Sequence, residues 1–536
     1  MTKRQETSVR GLLGFAGYVP YRRLERSAIA AVAGGGGGRG QRSVASYDED
    51  STTMAAEAAR LALRAAPGPA VGRLLFATSS PAYADRTNAT AVHAVLGLDA
   101  AAPAMDAAGS VRAATGLLRL ALESGPAAGA APGCTLVAAG DIRTGRPGGP
   151  DESAGGDGGS ALLIGGEADG PLLAAYLGGA TVTAEFTDRW RAPGERHSSL
   201  WEERFGEQRY LAAGRRAWQD ALKATGLTAD QVDRVLVTGL HARAVAGLRR
   251  SLGVPDGALA DGLEALTGVT GAAHPGLLLA RELERFAAGP AGSGPAGSGP
   301  AGSGPAGSGA GPAGSGAGPA GSGAGPAGSG AAPADRVLAL VLLADGADVL
   351  LFRTTPALAA HRPARSVDAQ IATGGAIPYG RFLAWRGELR PEPPRRPEPA
   401  RTSSSAAARS VEWKYGFTGS RDRSSGAVHL PPQRVSMRGD AQDEMDPAPM
   451  AEAAGTVRTF TVDRMAWSPS PPVVLAVVDF DGGGRLPVEL TDVDAGQVAI
   501  GDRVEPAFRR LGSADGIVNY FWKARPIRAA ETPAED

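Results

Sequence analysis

Apolar and polar positions follow two periods along this chain. Over residues 9–287 short apolar runs alternate with stretches of helical spacing. Residues 74–77, 136–139, 161–164 and 235–238 are unbroken runs of apolar or small side chains, the pattern of strands covered on both faces. Met54, Ala58, Leu61 and Ala62 recur at helical spacing, with Asp50 or Ser51 placed to cap that helix. Thr228 and Gln231 form a capping-box pair. The alternation predicts an α/β architecture with a mostly parallel sheet. Residues 337–343, an Asp345-Gly346 turn and residues 349–352 predict a hairpin. After Trp413 the texture changes. Residues 456–462, 473–480, 486–490, 503–510 and 520–524 are short β-type runs between Gly, Pro and Asp, which predicts a small all-β barrel.

Two segments interrupt these patterns. Residues 288–333 repeat GPAGSG units and bury nothing, so they read as a flexible insertion. The hairpin that follows completes the preceding α/β unit, which places the insertion inside that domain, and loop closure costs little even at this length. Residues 391–409, rich in Pro, Arg and Ser, read as a linker. A chain of 536 residues suggests about three domains, and 43% hydrophobic residues suffice for real cores. The net charge of -1 argues against an overall nucleic-acid binder. A single cysteine, Cys134, excludes a disulfide framework and a Cys-rich zinc site. No signal-like or membrane-spanning apolar run is visible, so a cytoplasmic protein that binds no membrane is expected.

Residues 16–24 (AGYVPYRRL), 87–97 (TNATAVHAVLG), Gly156-Asp157-Gly158 and 181–191 (TVTAEFTDRWR), followed by Phe205-Gly206-Glu207, carry a family resemblance. With them the chain resembles the thiolase superfamily, in the branch of HMG-CoA synthase and ketoacyl-ACP synthase III, over roughly residues 9–355. The resemblance implies an α/β thiolase-like fold of two βαβαβαββ halves in α-β-α-β-α layers, at 8–168 and 171–357. The tail, through 378–387 (PYGRFLAWRG), 455–462 (GTVRTFTV) and 500–504 (IGDRV), resembles the DUF35 family. That implies a leading helix and linker at 366–410, a zinc ribbon at 411–448, degenerate here, and an OB-fold barrel at 449–530.

The family's chemistry is acyl transfer or Claisen-type condensation on acyl-CoA or acyl-carrier-protein thioesters. Its nucleophile is a Cys at a strand-to-helix turn, where the helix N-terminus favours the thiolate. The matching stretch is 105–112 (MDAAGSVR), and the Cys position falls on Val111, or on Ser110 if the turn is one residue shorter. Ser110 is thus the candidate nucleophile, although a free hydroxyl is a poor one and the residue reads more readily as a helix N-cap. His241, between a strand and a helix, matches the family's catalytic His. The family's Asn falls on Val269, which removes an oxyanion donor worth ~10²–10³ in rate. His274 stands near that loop, as a pocket or a structural residue. HMG-CoA synthases carry a Glu base near residues 77–80, and none occurs here. Cys134 opens an apolar strand and reads as a small buried hydrophobe. Trp190 and Arg191 suit the base and phosphates of a CoA-like ligand, or equally a core Trp beside a surface Arg.

Asp422, Ser425, Ser436 and Gly439 stand where the ribbon's four cysteines belong, so no metal is expected. Two functions follow from the resemblance. One is an acyltransferase of altered machinery, using His241 and Ser110 and no cofactor of its own. The other is a non-catalytic acyl-CoA-binding scaffold that organises a partner thiolase or synthase. A homodimer is expected in either case.

Overall fold

The computed structural model describes residues 9–528 apart from 36, 125–132, 290–334, 391 and 393–395. From residue 290 onward the expected insertion therefore lies outside the described residues. The α/β part is built on strands β1 (Arg10–Tyr18), β2 (Val71–Thr78), β3 (Ala104–Ala108), β4 (Cys134–Asp141), β5 (Gly158–Gly166), β6 (Ala174–Thr183), β7 (Arg234–Gly239), β8 (Val337–Leu343) and β9 (Gly346–Thr354). They hydrogen-bond in the order β7-β8-β9-β6-β1-β5-β4-β2-β3. The sheet is two half-sheets that meet at β1 and β6 over only Gly11, Leu12, Ala174 and Ala175. All four apolar runs read from the sequence lie within strands. The sheet is mixed, however, and not mostly parallel. β2 pairs in parallel with β3 and β4, and β7 with β8, while the pairings β4–β5, β5–β1, β8–β9 and β9–β6 are antiparallel. The tight Asp345-Gly346 turn forces one reversal, and the pattern of apolar runs alone carries no strand direction.

Helices fill three layers around the half-sheets. α1 (Ser51–Ala65) covers the outer face of the first half, where Met54, Ala58, Leu61 and Ala62 pack on Leu74, Phe76 and Leu136. Its cap is Asp50, whose carboxylate accepts the Thr53 N–H at 2.9 Å. α2 (Ala113–Glu123) and α5 (His274–Ala288) lie between the halves. α3 (Glu203–Thr225) and α4 (Ala242–Arg249) cover the outer face of the second half. This is the five-layered α-β-α-β-α arrangement. The Thr228–Gln231 pair caps only a single 3₁₀ turn before β7, with Gln231 Oε1 accepting the Thr228 N–H at 2.9 Å. Gly156 must be glycine, because a Cβ there would stand 1.8 Å from the Thr267 carbonyl oxygen.

The tail begins with the helix Tyr379–Trp385. Asp157 of the Gly-Asp-Gly element holds it, accepting from Arg42 at 3.2 Å and from the Arg386 guanidinium that ends the helix. The stretch read as a linker contains a short helix, Ser404–Arg409, started by the Ser403 side chain. Beyond the ribbon, β10 (Gly455–Asp463), β11 (Val473–Phe480), β12 (Arg485–Glu489), β13 (Arg503–Ala514) and β14 (Ile517–Pro526) form an antiparallel sheet in the order β12-β11-β10-β13-β14. A bridge from Leu490 to Ala524 closes it into a barrel around Phe480, Phe508, Tyr520 and Trp522.

The barrel is anchored to the start of α1 by buried charges. Lys523 meets Asp48 at 2.9 Å, Arg509 meets Glu49 at 3.1 Å, and Arg525 meets Glu57 at 2.9 Å. Tyr520 donates to Asp50 at 2.7 Å. Read along the sequence, these residues look like ordinary surface charges. Among the described residues no helix is long and apolar enough to cross a membrane.

Candidate active site

β3 ends the sheet, and Gly109, at φ 103°, turns the chain into α2. Only a residue tolerant of positive φ suits this elbow. The Gly109 N–H donates to the Thr78 carbonyl at 3.2 Å, which sets the elbow beside the end of β2. Ser110 Oγ accepts the Arg112 N–H at 3.1 Å and donates to Asp345 at 2.5 Å. Its hydroxyl thus closes the turn that leads into α2, and its nearest base is a carboxylate from the β8–β9 turn. Val111 is buried against Leu342, Ala344 and Leu240. Arg112 crosses to β9, meeting Asp348 at 3.0 Å, and Thr115 donates to the same carboxylate at 2.7 Å.

A cavity of about 490 Å³ opens at this elbow, and Ser110, Trp190, Arg191 and His241 all line it. The structure brings the four candidate residues to one place but does not join Ser110 to His241. His241 caps α4, with Nδ1 accepting the Ala244 N–H at 3.2 Å, and Nε2 stands 2.9 Å from the Glu203 carbonyl, to which it donates. Both ring nitrogens are occupied. The imidazole is also wedged against α3, where a Cβ on Gly206 would lie 3.1 Å from it. Tyr210 donates to Asp188 at 2.9 Å, and burial together with that carboxylate pushes its phenol well up. Trp190, Trp201 and Leu200 are exposed at the rim. Arg191 donates to the Ser79 carbonyl at 2.5 Å, and Arg143 Nη1 to Ser79 Oγ at 3.2 Å. Arg189 is locked to Asp151 by two bonds of 2.7 Å.

Sequence reasoning missed Arg143, Asp188, Tyr210 and Asp345. Asp345 was legible as a turn residue, but its contact with Ser110 spans 235 positions and leaves no local signal.

The other residues singled out lie elsewhere. His274 is fully buried, donating to the Gly262 carbonyl at 2.9 Å and accepting the Thr270 N–H at 3.2 Å. Burial lowers it to about 4, so it is a neutral structural imidazole. Val269 bonds through its backbone to Ala154 and Gly156 and lines a neighbouring cavity of about 210 Å³. Cys134 is buried, its sulfur 3.1 Å from the Ala70 carbonyl, and burial pushes its thiol up to about 12.

The segment expected to be a degenerate zinc ribbon has its two turns tied together by side chains other than thiolates. Asp422 ends the strand Thr418–Asp422 and accepts hydroxyl donors from Ser425 at 2.5 Å and Ser436 at 2.6 Å. Ser424 adds its N–H and hydroxyl at 2.8 and 2.9 Å. These donors hold the carboxyl well below its usual range. A carboxylate therefore ties the two turns, and the residue set does not fit a zinc ion. Elemental analysis of the purified chain is expected to find less than stoichiometric zinc, and Asp422→Ala to make the ribbon sensitive to limited proteolysis. One zinc per chain would mean that other ligands hold it.

The ChsH2 C-terminal OB-fold domain family matches residues 449–509. The hydroxymethylglutaryl-CoA synthase of Aeropyrum pernix is 29% identical over 239 residues, which are 43% of this chain and 65% of that synthase, just under two thirds of its length. A DUF35 domain-containing scaffold protein of Methanocaldococcus jannaschii is 27% identical over 124 residues, 22% of this chain and 87% of that one. Among solved structures, MvaS in complex with 3-hydroxy-3-methylglutaryl coenzyme A gives a TM-score of 0.53 at 19% identity, over 74% of this chain and 95% of that one. The chain is a thiolase-fold protein with a C-terminal OB-fold barrel. Its α/β part is similar in sequence to HMG-CoA synthases and its tail to a DUF35 domain-containing scaffold protein, the two lying here in one chain.

Proposed function

We propose that this chain binds an acyl thioester, of CoA or of acyl-carrier protein, in the elbow cavity and serves as a scaffold for a partner thiolase or synthase. The observation that carries the reading is the state of the elbow. Val111 has no reactive atom, Ser110 is held on both sides, and His241 has no free nitrogen. A nucleophile needs a free base beside it, and this arrangement lacks one apart from the Asp345 carboxylate. The cavity itself persists, with aromatic side chains at its rim. The Methanocaldococcus jannaschii relative is named a scaffold protein, and the MvaS structure holds an acyl-CoA, which supports both halves of the reading. β3 leaves a free sheet edge with Met105 exposed, which suits pairing with a second copy.

One observation favours a second reading. The short Ser110–Asp345 contact is a hydroxyl on a carboxylate, which makes slow acyl transfer through Ser110 chemically accessible. Intact mass spectrometry and equilibrium binding with short acyl-CoAs separate the two. Saturable binding with no covalent adduct is the expected result. An adduct abolished by Ser110→Ala would establish the acyltransferase instead. An adduct abolished by Cys134→Ala would place the chemistry elsewhere in the chain, and the buried, weakly acidic thiol makes that substitution silent in our reading.

A further inference from the structure

One wall of the elbow cavity is a hairpin. Its strands, Arg189–Trp190 and Ser199–Leu200, pair Ser199 with Trp190 and Leu200 with Arg189. Trp190, Arg191, Ser198 and Leu200 line the cavity, and the Trp201 N–H closes the hairpin's base on the Asp188 carbonyl at 2.7 Å. The tip is a tight turn. The Ala192 N–H donates to the Glu195 carboxylate at 3.0 Å, and the Glu195 N–H to the Ala192 carbonyl at 3.1 Å. Gly194, at φ 86°, supplies the left-handed residue of that turn. A ladder of two residues fixes little by itself, since even a full hairpin is marginal in water. The place of this wall therefore depends on what its ends grip.

Two of these grips lead to the tail. At the tip, Arg196 and His197 meet Glu388, just beyond the helix Tyr379–Trp385, at 3.2 and 3.1 Å. Arg196 also donates to the Arg386 carbonyl and, at 3.4 Å, to the Gly387 carbonyl. These carbonyls stand at the C-terminal end of the helix, where a cation is favoured. Glu388 and His197 are largely enclosed, while Arg196 is exposed. At the first strand, Arg189 is held by Asp151 of the short helix Pro150–Ala154. The next residue, Glu152, is buried and accepts the Tyr379 hydroxyl at 2.9 Å from the first residue of the tail helix. Burial and the Glu152 carboxylate push that phenol up to about 12, so it stays a donor. A third anchor, Arg191 on the Ser79 carbonyl, lies within the α/β part. Tyr379 and Glu388 stand behind the wall and are not among the residues that line the cavity.

We infer that the leading helix of the tail sets the position of this cavity wall from behind, with Glu388 as the positioning residue at the hairpin tip and Tyr379 at the other end. Release of the helix end frees Arg196 and His197 and lets Ser198 and Leu200 swing away from the elbow. The tail thereby controls access to Ser110 without touching the cavity. The inference goes beyond the acyl-thioester reading and holds for any ligand the cavity takes.

Thiol labelling of the full chain tests this without a ligand. Ser110→Cys places a thiol at the elbow, inside the cavity. Cys134, the single native cysteine, is buried and weakly acidic, so its labelling reports general opening of the fold. With Glu388→Ala added, N-ethylmaleimide is expected to modify the elbow thiol about 10-fold faster while Cys134 stays unmodified, the size of effect for losing one charge-assisted hydrogen bond beside an exposed partner. Glu388→Gln keeps an acceptor and should restore part of the protection. Arg196→Ala should quicken labelling too, yet add little on top of Glu388→Ala, because both act through one clasp. An unchanged rate in Glu388→Ala would overturn the inference. Labelling of Cys134 that rises in step with the elbow thiol would make Glu388 an ordinary stabilising residue, which also overturns it. Fully additive effects of Glu388→Ala and Arg196→Ala would do the same for the clasp.

Discussion

Glu57→Ala is expected to lower the free energy of unfolding by about 3–5 kcal/mol, the cost of stripping one partner from a buried ion pair. Glu57 sits in α1, almost wholly enclosed. It holds Arg60 at 2.6 Å and Arg525 at 2.9 Å and accepts the Phe508 N–H at 3.2 Å. Its removal leaves two guanidiniums buried between the α/β part and the barrel. Burial alone would raise its carboxyl, but Arg60 and Arg525 outweigh it and hold it far below the usual range. Glu505 behaves alike: against burial, Arg525 and Arg365 bring it down to about 2.

Both groups therefore contribute stability that is complete above the unfolded carboxyl value of about 4.3 and is lost as pH falls toward the folded one. Melting temperature should be level near neutrality and fall between about pH 4.5 and 2. The Glu57→Ala variant should start lower and fall less steeply, since one of the titrating groups is gone. A loss below about 1 kcal/mol would mean that the interface is wet.

Asp348→Ala should cost about 3 kcal/mol and also impair the cavity. Asp348 is buried in β9 and takes Arg112, Thr115 and Thr181. Arg112 follows Ser110 and Val111 directly, and it also donates to the Asp345 carbonyl at 2.6 Å. Freed from Asp348, it would pull on both sides of the elbow. Thermal denaturation and acyl-CoA titration check the two effects together. A variant that melts early yet binds normally would separate this ion pair from the site.

The elements that proved legible are those whose signal is local. The apolar runs of β2, β4, β5 and β7, the helical spacing of α1 and the Asp345-Gly346 turn each carry their information within a few residues. The barrel strands were readable for the same reason. Strand direction was not, because the period of a strand is the same whether its neighbour runs with it or against it. The anchoring charges were not, because Asp48 and Lys523, or Glu57 and Arg525, stand more than four hundred positions apart and each looks solvated by itself. At the candidate site, position was legible and bonding was not. The place of His241 after a strand follows from the pattern, whereas the Glu203 carbonyl that occupies its Nε2 belongs to a helix folded back from elsewhere. Arg143 had no motif to mark it, and only the fold aims it at Ser79.

The barrel's attachment through Asp48, Glu49 and Glu57 has a consequence for partner choice. Two surfaces borne on one chain meet at an effective concentration on the order of millimolar, whatever the abundance of the protein. A free DUF35 protein competing for the start of α1 would have to displace a tethered rival whose charges are already desolvated. The covalent link thereby fixes the stoichiometry at one barrel per α/β domain, insensitive to dilution. Any partner of the chain must then dock on its remaining surfaces.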